Sequence, residues 1–117
     1  MVVTGLRSEK GVVRACITAQ AKGFPDCPEG SYSLVLPARD GMHMDFTGVA
    51  PGRYAIALVH DENENGRIDR ALSMIPREGF GFSRDAPVRF GPPRFDDAAI
   101  TVGNQPTLAR IRMRYML

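Results

Sequence analysis

Hydrophobic and polar residues alternate along most of this chain with a period of two, as in a β-strand that buries one face. The sequence predicts seven short strands, six of which carry the pattern: Val2–Leu6, Val12–Thr18, Tyr32–Leu36, Met42–Thr47, Tyr54–Val59 (the exception), Ala98–Val102 and Leu108–Tyr115. No stretch sustains the 3.6-residue period of an amphipathic helix. Short strands separated by turn residues predict an all-β fold, a single antiparallel β-sandwich of about seven strands.

Two segments depart from simple alternation. Tyr54–Val59 is apolar at every position, which predicts a central strand buried on both faces. From about Ala71 to Phe95 the chain is irregular, which predicts one long crossover loop. No linker or repeat divides the chain, so we expect one domain over residues 1–117.

Composition narrows the classes of function. The chain has 117 residues, 44% of them hydrophobic, and a formal net charge of +2, which gives no reason to expect nucleic acid as a partner. No apolar run is long enough for a membrane span. The first residues lack the hydrophobic core of a signal peptide, so we expect either a cytosolic protein or a mature domain whose leader is absent from the chain.

The two cysteines favour the second option. Cys16 and Cys27 flank the turn-like segment Gly23-Phe24-Pro25-Asp26, which could bring them together. A disulfide over so short a loop stabilises by about 3 kcal/mol and implies an oxidising compartment. The alternative is two separate buried thiols. We favour the disulfide, because no CxxC spacing offers a metal or redox explanation.

The segment HDENENGRID, residues 60–69, has the alternating oxygen donors of a calcium loop around a glycine. The candidate ligands are Asp61, Asn63, Asn65, the backbone carbonyl of Arg67, and Asp69. Leu72 stands where an EF-hand needs a bidentate glutamate, and a strand precedes the loop, so this is not an EF-hand. Glu78 is the nearest carboxylate that could complete the site, and Asp96 or Asp97 are later candidates.

With so few charged ligands, such a site should bind calcium weakly, at about 10⁻⁴–10⁻³ M. The alternative is that the Asx side chains only cap a glycine-containing turn.

The crossover also carries aromatic residues among glycines and prolines: Phe80, Phe82, Phe90 and Phe95. The favoured interpretation is that they plug an open end or edge of the sandwich. The alternative is an exposed surface that binds a partner or ligand.

Catalysis has little support in the sequence. His43 falls on the predicted solvent face of a strand, and His60 has no second histidine spaced to join it. An enzyme that uses His60, Asp61 and Glu78 is therefore a third hypothesis, and we expect the protein not to be an enzyme.

Three motifs in order resemble the bacterial family named domain of unknown function 2141. They are PGRYAIA running into HDENENGRID, then IPREGFGFSRDA, then GPPRFDDA; the segment GVVRAC with a later Phe-Pro-x-Cys is similar to members that carry a cysteine pair. The resemblance implies an exported bacterial protein, periplasmic or secreted, with an immunoglobulin- or transthyretin-like sandwich. It supplies no activity.

The leading hypothesis is therefore an exported β-sandwich that binds an unknown protein or small ligand, with a structural calcium ion in the 61–69 loop. The second is a metal-free structural or envelope-interaction domain in which that loop is only a turn.

Overall fold

A computed structural model of the chain describes residues 1–63, 79–88 and 91–115. The strands are β1 (Val2–Thr4), β2 (Val12–Thr18), β3 (Tyr32–Pro37), β4 (Met42–His43), β5 (Gly52–Asp61), β6 (Gly79–Phe82), β7 (Ala99–Val102) and β8 (Arg110–Arg112). A 3-10 turn (Ser83–Asp85) follows β6, and a single helical turn, α1 (Phe95–Ala98), precedes β7.

The strands form two sheets, which confirms the predicted all-β sandwich. One sheet has the order β4-β1-β8, and the other has the order β3-β2-β5-β6 with β7 also paired to β5. All pairs are antiparallel except β1 with β8, which is parallel. The predicted strands Met42–Thr47 and Leu108–Tyr115 are shorter than expected, because β4 ends at His43 and β8 spans only Arg110–Arg112.

Strand β5 is the centre of the larger sheet, as its unbroken run of apolar residues predicts. One side pairs with β2 along seven residues, from Ala55 to Asp61. On the other side, Gly52–Ala55 pairs with β7 and Ala57–His60 pairs with β6. A strand with neighbours on both sides and apolar residues on both faces is covered on every side.

Each face of this sheet packs into its own core. The core between the two sheets includes Val13, Ile56, Leu58 and Ile111. A second core covers the outer face and consists of Ala55, Ala57, Phe80, Phe82, Ala86, Phe95 and Ala98, with Phe24 packed against it.

The second core corrects the hypothesis of an exposed aromatic surface. Phe80, Phe82 and Phe95 are only 3%, 2% and 7% exposed, so these three side chains are core residues and are not free to bind a partner. Phe24 makes edge-to-face contacts with Phe82 and Phe95, at centroid distances of 6.0 and 6.1 Å. Phe90 lies outside the described residues.

Strand β6 has the sequence Gly-Phe-Gly-Phe, and its two faces have different neighbours: the glycines face the C-terminal segment, and the phenylalanines face the second core. A Cβ atom on Gly81 would lie 2.8 Å from Cγ2 of Ile111, and one on Gly79 would lie 2.3 Å from the Tyr115 ring. Both glycines therefore allow the C-terminal segment to cross close to β6, while the alternate positions carry the phenylalanines of the second core. Backbone hydrogen bonds in both directions between Phe80 and Arg114 join the segments.

Candidate functional site

The acidic loop begins at the end of β5, where three consecutive side chains are held by residues distant in sequence. His60 is completely buried in the core. Its Nε2 lies 2.8 Å from the carbonyl oxygen of Lys10, and its Nδ1 lies 2.7 Å from the hydroxyl of Tyr115. Since a carbonyl only accepts, Nε2 carries the proton in the neutral ring, and Tyr115 donates to Nδ1. Burial raises the pKa of Tyr115 above its ordinary value, so the phenol remains a donor.

Asp61 points to the opposite face of the sheet. Its side chain is 1% exposed, and its Oδ2 accepts a hydrogen bond from Nε of Arg14 at 3.0 Å. Arg14 lies two strand positions from Cys16 on β2 and is 24% exposed. This carboxylate therefore has a counter-ion within the protein, which a buried charge requires.

Glu62 leaves the sheet and is bound by the N-terminal part of the chain. Its carboxylate accepts hydrogen bonds from Arg7 and, at 2.7 Å, from the hydroxyl of Ser8. The hydrogen bond from Arg7 is the largest of the effects that lower the pKa of Glu62 below its ordinary value of 4.5. The Arg7 guanidinium also lies over the Tyr115 ring, at 4.6 Å from the centroid. Residues 60–62, which we call the anchor, therefore attach the end of β5 to distant parts of the chain.

The predicted calcium ligands are only partly placed by the structure. Asp61 and Asn63 are described, whereas Asn65, Arg67, Asp69 and Glu78 lie outside the described residues. Within the described ranges, no group of three His, Cys, Asp or Glu side chains is arranged to hold a metal ion. Asp61 faces Arg14, so a calcium ion would have to share or replace that contact.

The catalytic hypothesis depends on His60 as a base. Both of its ring nitrogens are in hydrogen bonds, and the ring is 0% exposed. These two hydrogen bonds hold the ring in one orientation inside the protein.

The cysteine pair lies on the outer face of the larger sheet, where Cys16 is paired with Ala57 of β5. The sulfur atoms of Cys16 and Cys27 are 2.10 Å apart, so the predicted disulfide is present in the structure. Cys16 is 8% exposed on β2, and Cys27 is exposed in the β2–β3 connection. The bridge holds that connection, including Phe24, against the second core.

A cleft opens between the two sheets, at the end of the sandwich opposite His60 and Asp61, with a volume of about 550 Å³. Its apolar lining comes from strands of the larger sheet, from residues that flank the strands of the smaller sheet, and from connections: Met1, Ile17, Met44, Phe46, Val49, Ile56, Ile100, Val102, Pro106 and Ala109. Its charged groups are the carboxylate of Asp45 and the amino group of Met1, which lie 3.5 Å apart, and its uncharged polar residues include Thr47, Asn104, Gln105 and Thr107. A concave apolar site with a few polar groups is the usual form of a small-molecule site.

The sequence pattern did not reveal this cleft. Most of its lining residues occur in two distant segments, residues 44–49 and 100–109, whose patterns predict strands or ordinary turns. The one available signal is the presence of the apolar residues Phe46 and Val49 in the short connection between β4 and β5.

The described residues include no helix long and apolar enough to cross a membrane. A family model described as "Uncharacterized protein conserved in bacteria (DUF2141)" matches residues 1–109 of the 117. The chain belongs to the DUF2141 family. No curated protein matches this DUF2141 chain. No solved structure matches it either.

Proposed function

We propose that this DUF2141 protein is an exported β-sandwich that binds an uncharged, largely apolar small molecule in the cleft between its sheets. The observation that carries the proposal is the cleft itself, with its volume of about 550 Å³ and its apolar lining. Pockets of about 300–1,000 Å³ take ligands the size of a typical cofactor or drug.

The charge of the lining selects the ligand class. Asp45 is the one charged side chain among the described residues that line the cleft, and it is 77% exposed and paired with the amino group of Met1. The cationic group of Met1 is already paired with Asp45, so an anionic ligand would have no unpaired cation in the lining to receive it, and burying an unpaired charge is unfavourable. Threonine hydroxyls and the amides of Asn104 and Gln105 suit a ligand with a hydroxyl, ether or carbonyl group.

Export is supported by the disulfide between Cys16 and Cys27, because such bridges form and persist in oxidising compartments. Fractionation of bacteria that express the natural gene, with the protein detected by antibody, tests this part. Recovery in the cytosolic fraction alone would contradict it.

Calcium in the 61–69 loop remains part of the proposal as a structural ligand, supported by the alternation of oxygen donors in the sequence. The melting temperature of wild type and of Asp69→Ala should be measured in millimolar calcium and in excess chelator. Calcium should raise the melting temperature of wild type alone; equal values in both conditions would contradict calcium binding.

The pairing of Asp61 with Arg14 favours the second candidate, a metal-free structural domain in which the loop is a turn. This candidate predicts no effect of calcium, and also no ligand in the cleft.

The cleft is tested by titration with the uncharged fluorescent probe N-phenyl-1-naphthylamine. Wild type should show saturable enhancement of the fluorescence. Val49→Trp, in a connection that lines the cleft, should reduce it because the indole occupies the ligand volume. Leu108→Trp is the matched control, since Leu108 is 67% exposed and does not line the cleft. Equal enhancement by wild type and Val49→Trp, or no saturable binding, would contradict the proposal.

A further inference from the structure

A second cavity, of about 290 Å³, lies on the outer face of the larger sheet, and the disulfide forms part of its wall. The other lining residues come mainly from β2 and β3: Arg14, Ala15, Pro25, Ser33, Val35 and Ala57. The cavity is separate from the cleft between the sheets, because the two share no lining residue.

The two cysteines of the disulfide differ in their exposure to solvent. Cys16 is on β2 and is 8% exposed, whereas Cys27 is exposed in the β2–β3 connection. A nucleophile that enters the cavity from solvent therefore reaches the Cys27 side of the bridge first. In thiol–disulfide exchange the accessibility of each sulfur helps to decide which one is attacked.

Arg14 is the one charged side chain among the described residues that line this cavity. Asp61 occupies its Nε, and a guanidinium has further N–H donors on its terminal nitrogens. Asp61 also offsets much of the positive charge, so recognition of an anion here depends on those hydrogen bonds and should be modest.

We propose that this cavity, the disulfide cavity, is a site of thiol–disulfide exchange with small carboxylate-bearing thiols. The thiolate of the small molecule attacks Sγ of Cys27 and forms a new S–S bond with it. The Cys16–Cys27 bond breaks, and its electron pair leaves on Sγ of Cys16, which becomes a thiolate and takes a proton from solvent. The small thiol is oxidised and Cys16 is reduced, so the step needs no further oxidant.

Exchange would release the connection that the bridge holds. That connection carries Phe24, which packs against Phe82 and Phe95 in the second core. The thiols in the surroundings would therefore affect whether Phe24 stays packed against the second core.

The test uses the wild-type protein with glutathione, an anionic thiol, and cysteamine, a cationic one. Each exchange rate is divided by the rate of the same thiol with the uncharged 2-hydroxyethyl disulfide, which corrects for differences in thiol reactivity. After acid quenching and alkylation, peptide mass spectrometry should find glutathione on Cys27 and alkylated Cys16. The corrected rate should favour glutathione by up to about fivefold, the ratio expected for an exposed charge contact.

Val35→Trp tests the cavity itself. Val35 lines it and is 47% exposed on β3, so an indole there blocks access without entering either core. Glutathione exchange should slow by about tenfold in this variant, one decade in rate, and should not change in the control Leu108→Trp. Glutathione on Cys16, a corrected ratio of one or less, or an unchanged rate in folded Val35→Trp would each overturn the proposal. The first two measurements use wild type and remain decisive if the variant does not fold.

Discussion

Replacing Gly79 by alanine should be among the most destabilising single changes in the described part of the chain. A Cβ atom at this position would lie 2.3 Å from Cε2 and 2.6 Å from Cζ of the Tyr115 ring. Carbon atoms in contact are normally about 3.5–4.0 Å apart, so the ring would have to move by about 1 Å or more.

The expected loss of unfolding free energy follows from the hydrogen bond that Tyr115 makes with His60. The Tyr115 hydroxyl lies 2.7 Å from Nδ1 of His60, and His60 is 0% exposed. Leaving that buried nitrogen without a donor costs about 1–3 kcal/mol. Overpacking adds about 1–3 kcal/mol, and since one displacement causes both effects, we expect a total of about 2–4 kcal/mol.

The assay is urea unfolding at equilibrium, with Gly103→Ala as the control. A Cβ atom on Gly103 would meet no atom within 4 Å, so the free energy of unfolding should change by about 0.5 kcal/mol or less. A second test places Gly79→Ala in a Tyr115→Ala background, where the clash is absent and the cost of the Gly79 change should fall below about 1 kcal/mol. A loss of unfolding free energy for Gly79→Ala as small as that for Gly103→Ala, or one that is equal in the wild-type and Tyr115→Ala backgrounds, would contradict this prediction.

Two further predictions concern the anchor and the disulfide. Because the hydrogen bond from Arg7 lowers the pKa of Glu62, the folded state binds a proton there more weakly than the unfolded state. The stabilisation that ionised Glu62 contributes should be complete above the ordinary pKa of 4.5 and lost as the pH falls through the lowered pKa. The difference in unfolding free energy between wild type and Glu62→Gln should therefore shrink on acidification from about pH 6 to about pH 3. A difference that stays constant over this range would contradict the prediction. Replacing Cys16 and Cys27 together by serine should lower the free energy of unfolding by about 3 kcal/mol, measured against wild type without reductant. Wild type in excess reductant should show a similar loss, and no loss in either case would contradict a stabilising bridge.

Much of the fold could be predicted from the sequence, because alternation of polar and apolar residues directly reports which face of a strand is buried. The fully apolar strand at Tyr54–Val59 likewise indicated a central position, which β5 occupies. The parallel pairing of β1 with β8 could not be predicted, since these strands lie at opposite ends of the chain and their pairing leaves no local signal.

The acidic segment shows why a site is harder to predict than a strand. Its oxygen atoms fit a calcium loop at the level of spacing, but the partners of its first residues are far away in sequence. Arg14 is 47 residues from Asp61, and Tyr115 is 55 residues from His60. The same carboxylate can serve as a ligand or as half of an ion pair, and only the fold shows which groups are near it.

The aromatic crossover was ambiguous for a related reason. Phenylalanines separated by glycines fit both an exposed surface and a strand packed on one side. The deciding fact is that the glycines of β6 face a close crossing of the chain at Ile111 and Tyr115, which leaves the phenylalanines on the other face.

The most direct test of the central claim, that the cleft between the sheets binds an uncharged apolar ligand, is a two-dimensional amide NMR titration. N-phenyl-1-naphthylamine is added to wild-type protein, and the shift of each assigned amide is recorded. Saturable shifts should concentrate in residues 44–49 and 100–109, which include most of the residues that line the cleft, and leave the amides of His60 and Glu62 unchanged. Saturable shifts confined to other surfaces, or no saturable shifts, would contradict the proposed function.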